Sequence, residues 1–306
     1  MYLEYYLKQL DYEHFPDFLI QYLICPSLVR LKDVGYFCGM DYASKDIYDF
    51  REYISRYAHS LTVALLTYKL TKDKKATIAG LCHDIATPCF SHVIDYMNKD
   101  YEHQESTEAY TEKIIRSDEY LLACLKRDKI DIKDIINFKQ FPVVDNDRPR
   151  LCADRLDGVI LTGIGWTKNI TLEDIKKIID DVCLTKNEDG VDEIGFKTYS
   201  VAKKVLEISE SIDIICHSNE DNYMMELLAS ITKYAIDMGY ITYDELYTVT
   251  EKYLFQKLYS IPDDYLKDML KKFKHIKREE IEETNLPKLK IRDLNPLVNN
   301  QRIKNI

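Results

Sequence analysis

Residues 79–92 read AGLCHDIATPCFSH, so His83 and Asp84 stand side by side in a stretch that is otherwise mostly apolar or small. Burying an imidazole and a carboxylate without partners is costly, because each gives up water. An internal ion pair, a hydrogen-bonded core histidine and a metal ion are the three arrangements that would compensate. The chain has seven histidines, and four of them (His59, His83, His92 and His103) fall between 59 and 103. Asp84, Asp95 and the later Asp154 are the carboxylates beside them. Successive helical residues diverge by ~100°, so His83 and Asp84 cannot share one helix face, yet both can reach a single ion beside a helix end. His59 and Asp154 are the best candidates for further ligands from other helices, giving a two-histidine, two-carboxylate set. Mixed nitrogen and oxygen ligation suits one divalent Mn, Fe, Co, Ni or Zn ion, with Mg better placed to arrive with a substrate. Such an ion polarises a phosphoryl oxygen and lowers the pKa of water, as phosphate-ester hydrolysis requires.

These residues need helices to hold them. The spacing predicts a helix from Lys45 to about Leu70 with His59 in its middle, and another over 74–86 that carries His83 and Asp84 in its last turn before Pro88. Two short helices are expected at 2–10 and 14–24, the second ended by Pro26. A longer one is expected from His103 to Arg116, two more before Pro142, and one over 149–162 with Asp154 and Asp157 three apart. Thr171 is a good N-cap for TLEDIKKIIDDV, with Asp174 three residues on. VCLTKNEDGVDEIGF reads as a β-hairpin, residues 198–275 resume helical spacing, and PKLKIRDLNPLV suggests a closing strand at a sheet edge.

The chain has 306 residues, 46% hydrophobic and 31% charged, with only nine glycines and eight prolines, which favours a mainly α globular protein. The eight cysteines form no CxxC pair and read as reduced core thiols. A formal charge of −10 argues against an extended nucleic-acid surface but leaves room for a local cationic pocket. No stretch approaches the ~20 apolar residues of a membrane span, and MYLEYYLKQLDYEHF has no basic segment leading into an apolar run. A cytoplasmic protein with no membrane association is expected.

RYAHS, GLCHDIATPCFSH, YEHQES and CADRLDG resemble, in order and spacing, the HD-domain phosphohydrolase superfamily, and most closely its deoxynucleoside triphosphate triphosphohydrolase branch. The resemblance spans about residues 25–190, taken as an HD catalytic core, with 198–306 as a C-terminal helical extension ending in the closing strand. It implies a helical bundle in which His59, His83, Asp84 and Asp154 hold the metal. It also implies that His103 passes a proton to the leaving group with Asp95 orienting it, and that His92 supplies a further histidine. Imidazole suits that role because it titrates near neutrality. Arg56, one turn before His59, and Arg148, Arg150 and Arg155 around Asp154 are candidates to meet phosphate. The expected substrate is a small phosphate ester, a nucleotide and possibly a dNTP, and the resemblance together with 24 tyrosines suggests a homo-oligomer.

Two positions depart from that branch. Thr87 stands where the HDxGH pattern has a histidine associated with catalysis; its hydroxyl can hydrogen-bond phosphate but cannot act as a neutral-pH acid. Gly158 stands where a substrate-contacting tyrosine follows the RLD run. The competing reading is a catalytically weakened nucleotide-binding or regulatory module that keeps its metal. A third is a helical interaction protein with an ion-paired core, which would bind no metal.

Overall fold

The computed structural model describes residues 1–10, 15–102, 110–283 and 289–305, and the architecture is mainly α with one small sheet. In chain order the helices begin with α1 (Tyr2–Gln9), α2 (Pro26–Arg30), α3 (Arg56–Thr71), α4 (Lys74–Cys82), α5 (Val93–Met97) and α6 (Thr111–Ser117). Then come α7 (Glu119–Asp128), α8 (Ile132–Ile136), α9 (Ala153–Gly165), α10 (Leu172–Asp181) and the strands β1 (Val182–Lys186) and β2 (Asp192–Phe196). The chain continues through α11 (Tyr199–Cys216), α12 (Asn219–Asp237), α13 (Glu245–Thr248), α14 (Glu251–Ser260) and α15 (Asp264–His275). It closes on the short strands β3 (Leu297–Val298) and β4 (Gln301–Arg302).

The central helix, α3, is buried along most of its length, from Arg56 and His59 through Leu61, Val63, Leu65 and Leu66. Ser55 caps it by accepting the Ala58 amide, and Asp73 caps α4 by accepting those of Lys75 and Ala76. α4 and α9 both pack on α3, which brings His59, the end of α4 and the start of α9 to one place. Thr171 and Asp174 form the expected reciprocal capping box on α10.

Two apolar cores share the molecule. The first joins α1, α3, α4 and α7 to α11; the second joins residues around Met40–Tyr48 with α5 and α12 to α15. Trp166 and Phe50 pack against both, and a cavity of about 760 Å³ opens along this seam. The expected hairpin is present, with Val182 opposite Phe196 and Lys186 opposite Asp192. The closing strand β3 runs parallel to β2, pairing Gly195 with Leu297. A Cβ at Gly195 would stand 2.8 Å from the Leu297 carbonyl, so this approach requires glycine.

In the C-terminal region Leu294, Val298 and Ile303 return to the first core while α12 to α15 build the second. Some expected element boundaries move. Within 14–24 the described residues form only two 3₁₀ turns, Asp17–Leu19 and Tyr22–Ile24, and Pro26 opens α2 instead of ending a helix. The helix expected from Lys45 starts at Arg56. The aromatic residues ahead of it mimic helical spacing, but Tyr48 and Phe50 pack with Trp166, while Ile54 and Arg56 pair their backbone with Tyr36 and Val34. α4 stops at Cys82, and α9 runs from Ala153 to Gly165, later than the spacing over 149–162 suggests.

Candidate metal centre

His59 lies one turn inside α3, His83 is the C-cap of α4, Asp84 follows it, and Asp154 sits in the first turn of α9. The structure brings all four together. His59 Nε2 lies 3.0 Å from Asp154 Oδ1 and 3.7 Å from Asp84 Oδ2. His83 Nε2 lies 3.4 Å from Asp154 Oδ1 and 3.8 Å from Asp84 Oδ1. Ligand atoms of His59, His83 and Asp154 are all within 4.8 Å of one another, whereas Asp84 shares one oxygen with Arg56 at 2.8 Å.

The tautomers favour a cation. His83 Nδ1–H donates to the Gly80 carbonyl at 2.7 Å, which leaves Nε2 facing the carboxylates. At 3.4 Å from Asp154 that buried Nε2 makes no hydrogen bond of good geometry, so it is a polar atom without a partner. His59 Nδ1–H donates to the buried Asp157 at 2.7 Å, which likewise turns Nε2 towards Asp154. Bonds of ~2.1 Å meeting at right or tetrahedral angles put neighbouring ligand atoms ~3.0–3.4 Å apart, close to the observed spacings. These residues fit a divalent ion.

Electrostatics point the same way. Burial opposes charge on His59, but hydrogen bonds and attraction from Asp154 and Asp157 overcome it and hold the imidazole up at about 10. His83 is also raised, by Asp84 and Asp154 against its burial. Although burial works against them, the carboxyls of Asp84 and Asp154 are held below the usual range, by His83 and Arg56 for the first and by His59 and His83 for the second. The set behaves as an anionic cup seeking positive charge.

Asp157 is the residue that sequence spacing displays without explaining. Its Oδ1 accepts the Tyr6 hydroxyl at 2.7 Å, and Asp157 is fully buried. Tyr6, Asp157 and His59 therefore form a braced line behind the metal-facing nitrogen. Tyr36 is a second such residue. A Cβ at Gly158 would meet the Tyr36 hydroxyl at 2.8 Å, so Tyr36 fills the space that a side chain at 158 would take. Its ring lies 4.9 Å from that of His59 and beneath the Arg56 guanidinium at 4.8 Å.

His92 lines the cavity and donates Nδ1–H to the buried Asp95 at 2.9 Å. Burial lowers the His92 pKa despite that carboxylate, so its Nε2 is a neutral acceptor at physiological pH. His103 lies outside the described residues. Thr87 is fully buried and is not among the residues that line the cavity; its Oγ1 makes no hydrogen bond, and its carbonyl accepts Arg30 at 2.5 Å.

Arg56, Arg148, Arg150 and Arg155 all line the cavity. Arg150 is engaged by Asp189, and Arg155 by Asn146 and the Arg150 carbonyl. Two further cations, Lys290 and Arg292, come from the segment before β3. Burial, together with Arg155 and Arg292, pulls Arg148 down to about 10, and burial with Arg292 and Arg148 lowers Lys290. Cationic side chains thus share the cavity lining with the carboxylates, a setting matched to an anion. Asp145 completes the rim, and burial with the nearby Asp154 raises its carboxyl. The eight cysteines are all free, and no described helix is long and apolar enough to cross a membrane.

Comparison with known proteins gives this arrangement a context. The metal-dependent phosphohydrolase cns2 of Cordyceps militaris is 26% identical over 129 residues, covering 42% of this chain and 36% of that protein. The uncharacterized protein YdhJ of Bacillus subtilis is 29% identical over 105 residues, covering 34% of this chain and 32% of its own. The chain spans about a third of the length of these relatives. Residues 56–160, the stretch that holds His59, His83, Asp84 and Asp154, match the family model of the HD domain.

Proposed function

We propose that the protein is a divalent-metal-dependent phosphohydrolase acting on a small phosphate ester, with a nucleotide as the favoured substrate. The observation that carries this reading is the orphaned, correctly tautomerised Nε2 of His83 facing Asp154 and Asp84 inside an HD domain. His59, His83, Asp84 and Asp154 would hold the ion, which supplies Lewis-acid polarisation of a phosphoryl oxygen and acidification of water. Mn, Fe, Co, Ni and Zn all suit the donor set.

The chain's own groups supply the rest. Arg148, Lys290 and Arg292, which line the same cavity, would bind and orient phosphate, and Arg56 donates to Asp84 and holds it in place. His92 Nε2, aimed by Asp95, would accept a proton from the attacking water. By resemblance His103 would return one to the leaving group, with Asp95 as its support. Metal-loaded protein assayed against nucleotides, sugar phosphates and aryl phosphates should release product, and His83→Ala or Asp84→Ala should abolish both bound metal and turnover. Turnover unchanged in either variant would sink the mechanism.

Thr87 favours a second reading. Buried with an unpartnered Oγ1, it has no path to substrate, so the histidine absent from the HDxGH pattern has no stand-in at that position. A regulatory module that binds nucleotide without turnover would show thermal stabilisation by nucleotides and no product in the same assay. Triphosphate hydrolysis and homo-oligomerisation remain proposals of the resemblance, checked by product identification and by light scattering.

A further inference from the structure

The lining of the seam cavity includes a carboxylate that the metal chemistry does not use. Asp221, in the first turn of α12, is only 8% exposed yet lines the cavity. Its Oδ1 accepts the Tyr48 hydroxyl at 2.7 Å, and no other described side chain donates to the carboxylate. No described cation lies within ion-pair distance. Burial pushes its carboxyl up to about 6, with the Tyr48 hydrogen bond and the more distant Arg292 pulling the other way. The cap of α12 is already supplied by Ser218, whose Oγ accepts the Asp221 amide, so the helix does not need this carboxylate.

A half-satisfied buried carboxylate is destabilising by itself, and such groups mark places where a ligand completes the bonding. Trp166, Met225, Ile212 and Ser209 line the same cavity as Asp221, adding aromatic and apolar surface and one hydroxyl. The same cavity, about 760 Å³ in volume, is also lined by Asp154 and His83. That volume lies in the range of small-molecule sites and far exceeds a phosphate group. A ligand anchored by phosphate beside the metal centre would extend its organic body towards Asp221.

We propose that Asp221 reads the organic body of the substrate, so that the cavity beside it takes a ring presenting N–H or O–H donors, as in a nucleoside monophosphate or a phosphorylated sugar. The placement of the phosphate rests on the phosphohydrolase reading. Asp221 is a specificity-determining group here: it accepts from the ring's donor edge while Trp166 and Met225 cover the apolar faces. A body without donors leaves the carboxylate's second oxygen unpaired.

The test uses the full-length protein with its metal and four carbon-linked phosphonates that cannot be hydrolysed: the analogues of GMP, AMP and ribose 5-phosphate, and phenylphosphonate. Calorimetry on wild type should show at least one donor-bearing analogue bound about tenfold or more tighter than phenylphosphonate, as expected for a hydrogen bond to a buried charge. Asp221→Asn, which retains the Tyr48 contact, and Asp221→Ala should both remove that margin while leaving phenylphosphonate within about threefold of wild type. Tight binding of the ribose analogue identifies sugar hydroxyls as the donors, whereas a margin confined to the nucleotide analogues identifies the base. The proposal is overturned if wild type shows no margin, or if the margin survives both substitutions. An Asp221-dependent margin in a protein that hydrolyses no phosphate ester would uphold this inference and remove the phosphohydrolase reading instead.

Discussion

The carboxylate of Asp157 holds Nδ1 of His59 at 2.7 Å, and Tyr6 braces that carboxylate from the far side at 2.7 Å. This fixes which nitrogen of His59 faces Asp154. Outer-shell carboxylates of this kind tune both ring orientation and ligand basicity.

Asp157→Asn should therefore weaken metal affinity by about 10- to 100-fold while all four metal-facing side chains remain. Tyr6→Phe, which removes only the brace, should have a smaller effect. Competition with a chromophoric chelator measures both, and wild-type affinity in Asp157→Asn would remove the positioning role.

Arg292 reaches the cavity from the segment before β3 and makes no ion pair among the described residues. Arg292→Ala should weaken inhibition by inorganic phosphate about tenfold at low ionic strength, with the gap narrowing as salt rises. Metal content should not change. Inhibition measured with and without added salt checks the point, and equal inhibition constants for variant and wild type at low salt would exclude the residue from phosphate binding.

Glu251 is fully buried at the start of α14, where its oxygens accept the amides of Gly35 and Phe90 at 3.0 and 2.9 Å. Burial raises its carboxyl to about 8 against those two hydrogen bonds, with Asp41 adding to the rise and Arg56 opposing it. The folded state then holds the proton more tightly than the unfolded chain, whose carboxyl titrates near 4.5. Its contribution to stability is complete below the unfolded value and is lost as pH rises towards 8. The stability difference between wild type and Glu251→Gln should accordingly shrink from pH 5 to pH 8, read from denaturant melts. A difference independent of pH would show that Glu251 is ionised throughout.

Glu193 in β2 is fully buried and takes Arg302 of β4 at 2.5 Å, the Leu151 amide at 3.0 Å and Asn187 at 3.2 Å. Arg302→Ala would strand that carboxylate without a cation, and a loss of about 3 kcal/mol is expected. Thermal and urea unfolding test it; a loss below about 1 kcal/mol would mean the backbone and amide donors suffice.

The sequence made the metal-facing set legible because its members carry their own signal: a histidine beside an aspartate in a small-residue helix end, with partners at helical positions. The hairpin and the α10 cap were legible for a similar reason, since their turn and cap chemistry is local. What escaped was non-local. Asp157 stood in plain view three residues beyond Asp154, but only the folded chain shows it reaching His59. Nothing in the sequence around Tyr36 announces that it fills the space at Gly158, and Lys290 and Arg292 sit in a basic tail that reads as ordinary surface. The false start of α3 at Lys45 arose because Phe50 and Tyr53 extend ahead of the helix the three- and four-residue steps that reach Tyr57, while Phe50 itself packs on Trp166.

The parallel pairing of β2 with β3 sets an order of assembly. His59, His83, Asp84, Asp154 and the bracing Asp157 are all synthesised before the hairpin, whereas Lys290 and Arg292 follow every described α-helix. A nascent chain can gather the ion's ligands, and with them Arg56, Arg148, Arg150 and Arg155, before the last two cations of the cavity exist. A chain interrupted before Lys290 would keep every metal-facing side chain but carry an incomplete cationic lining.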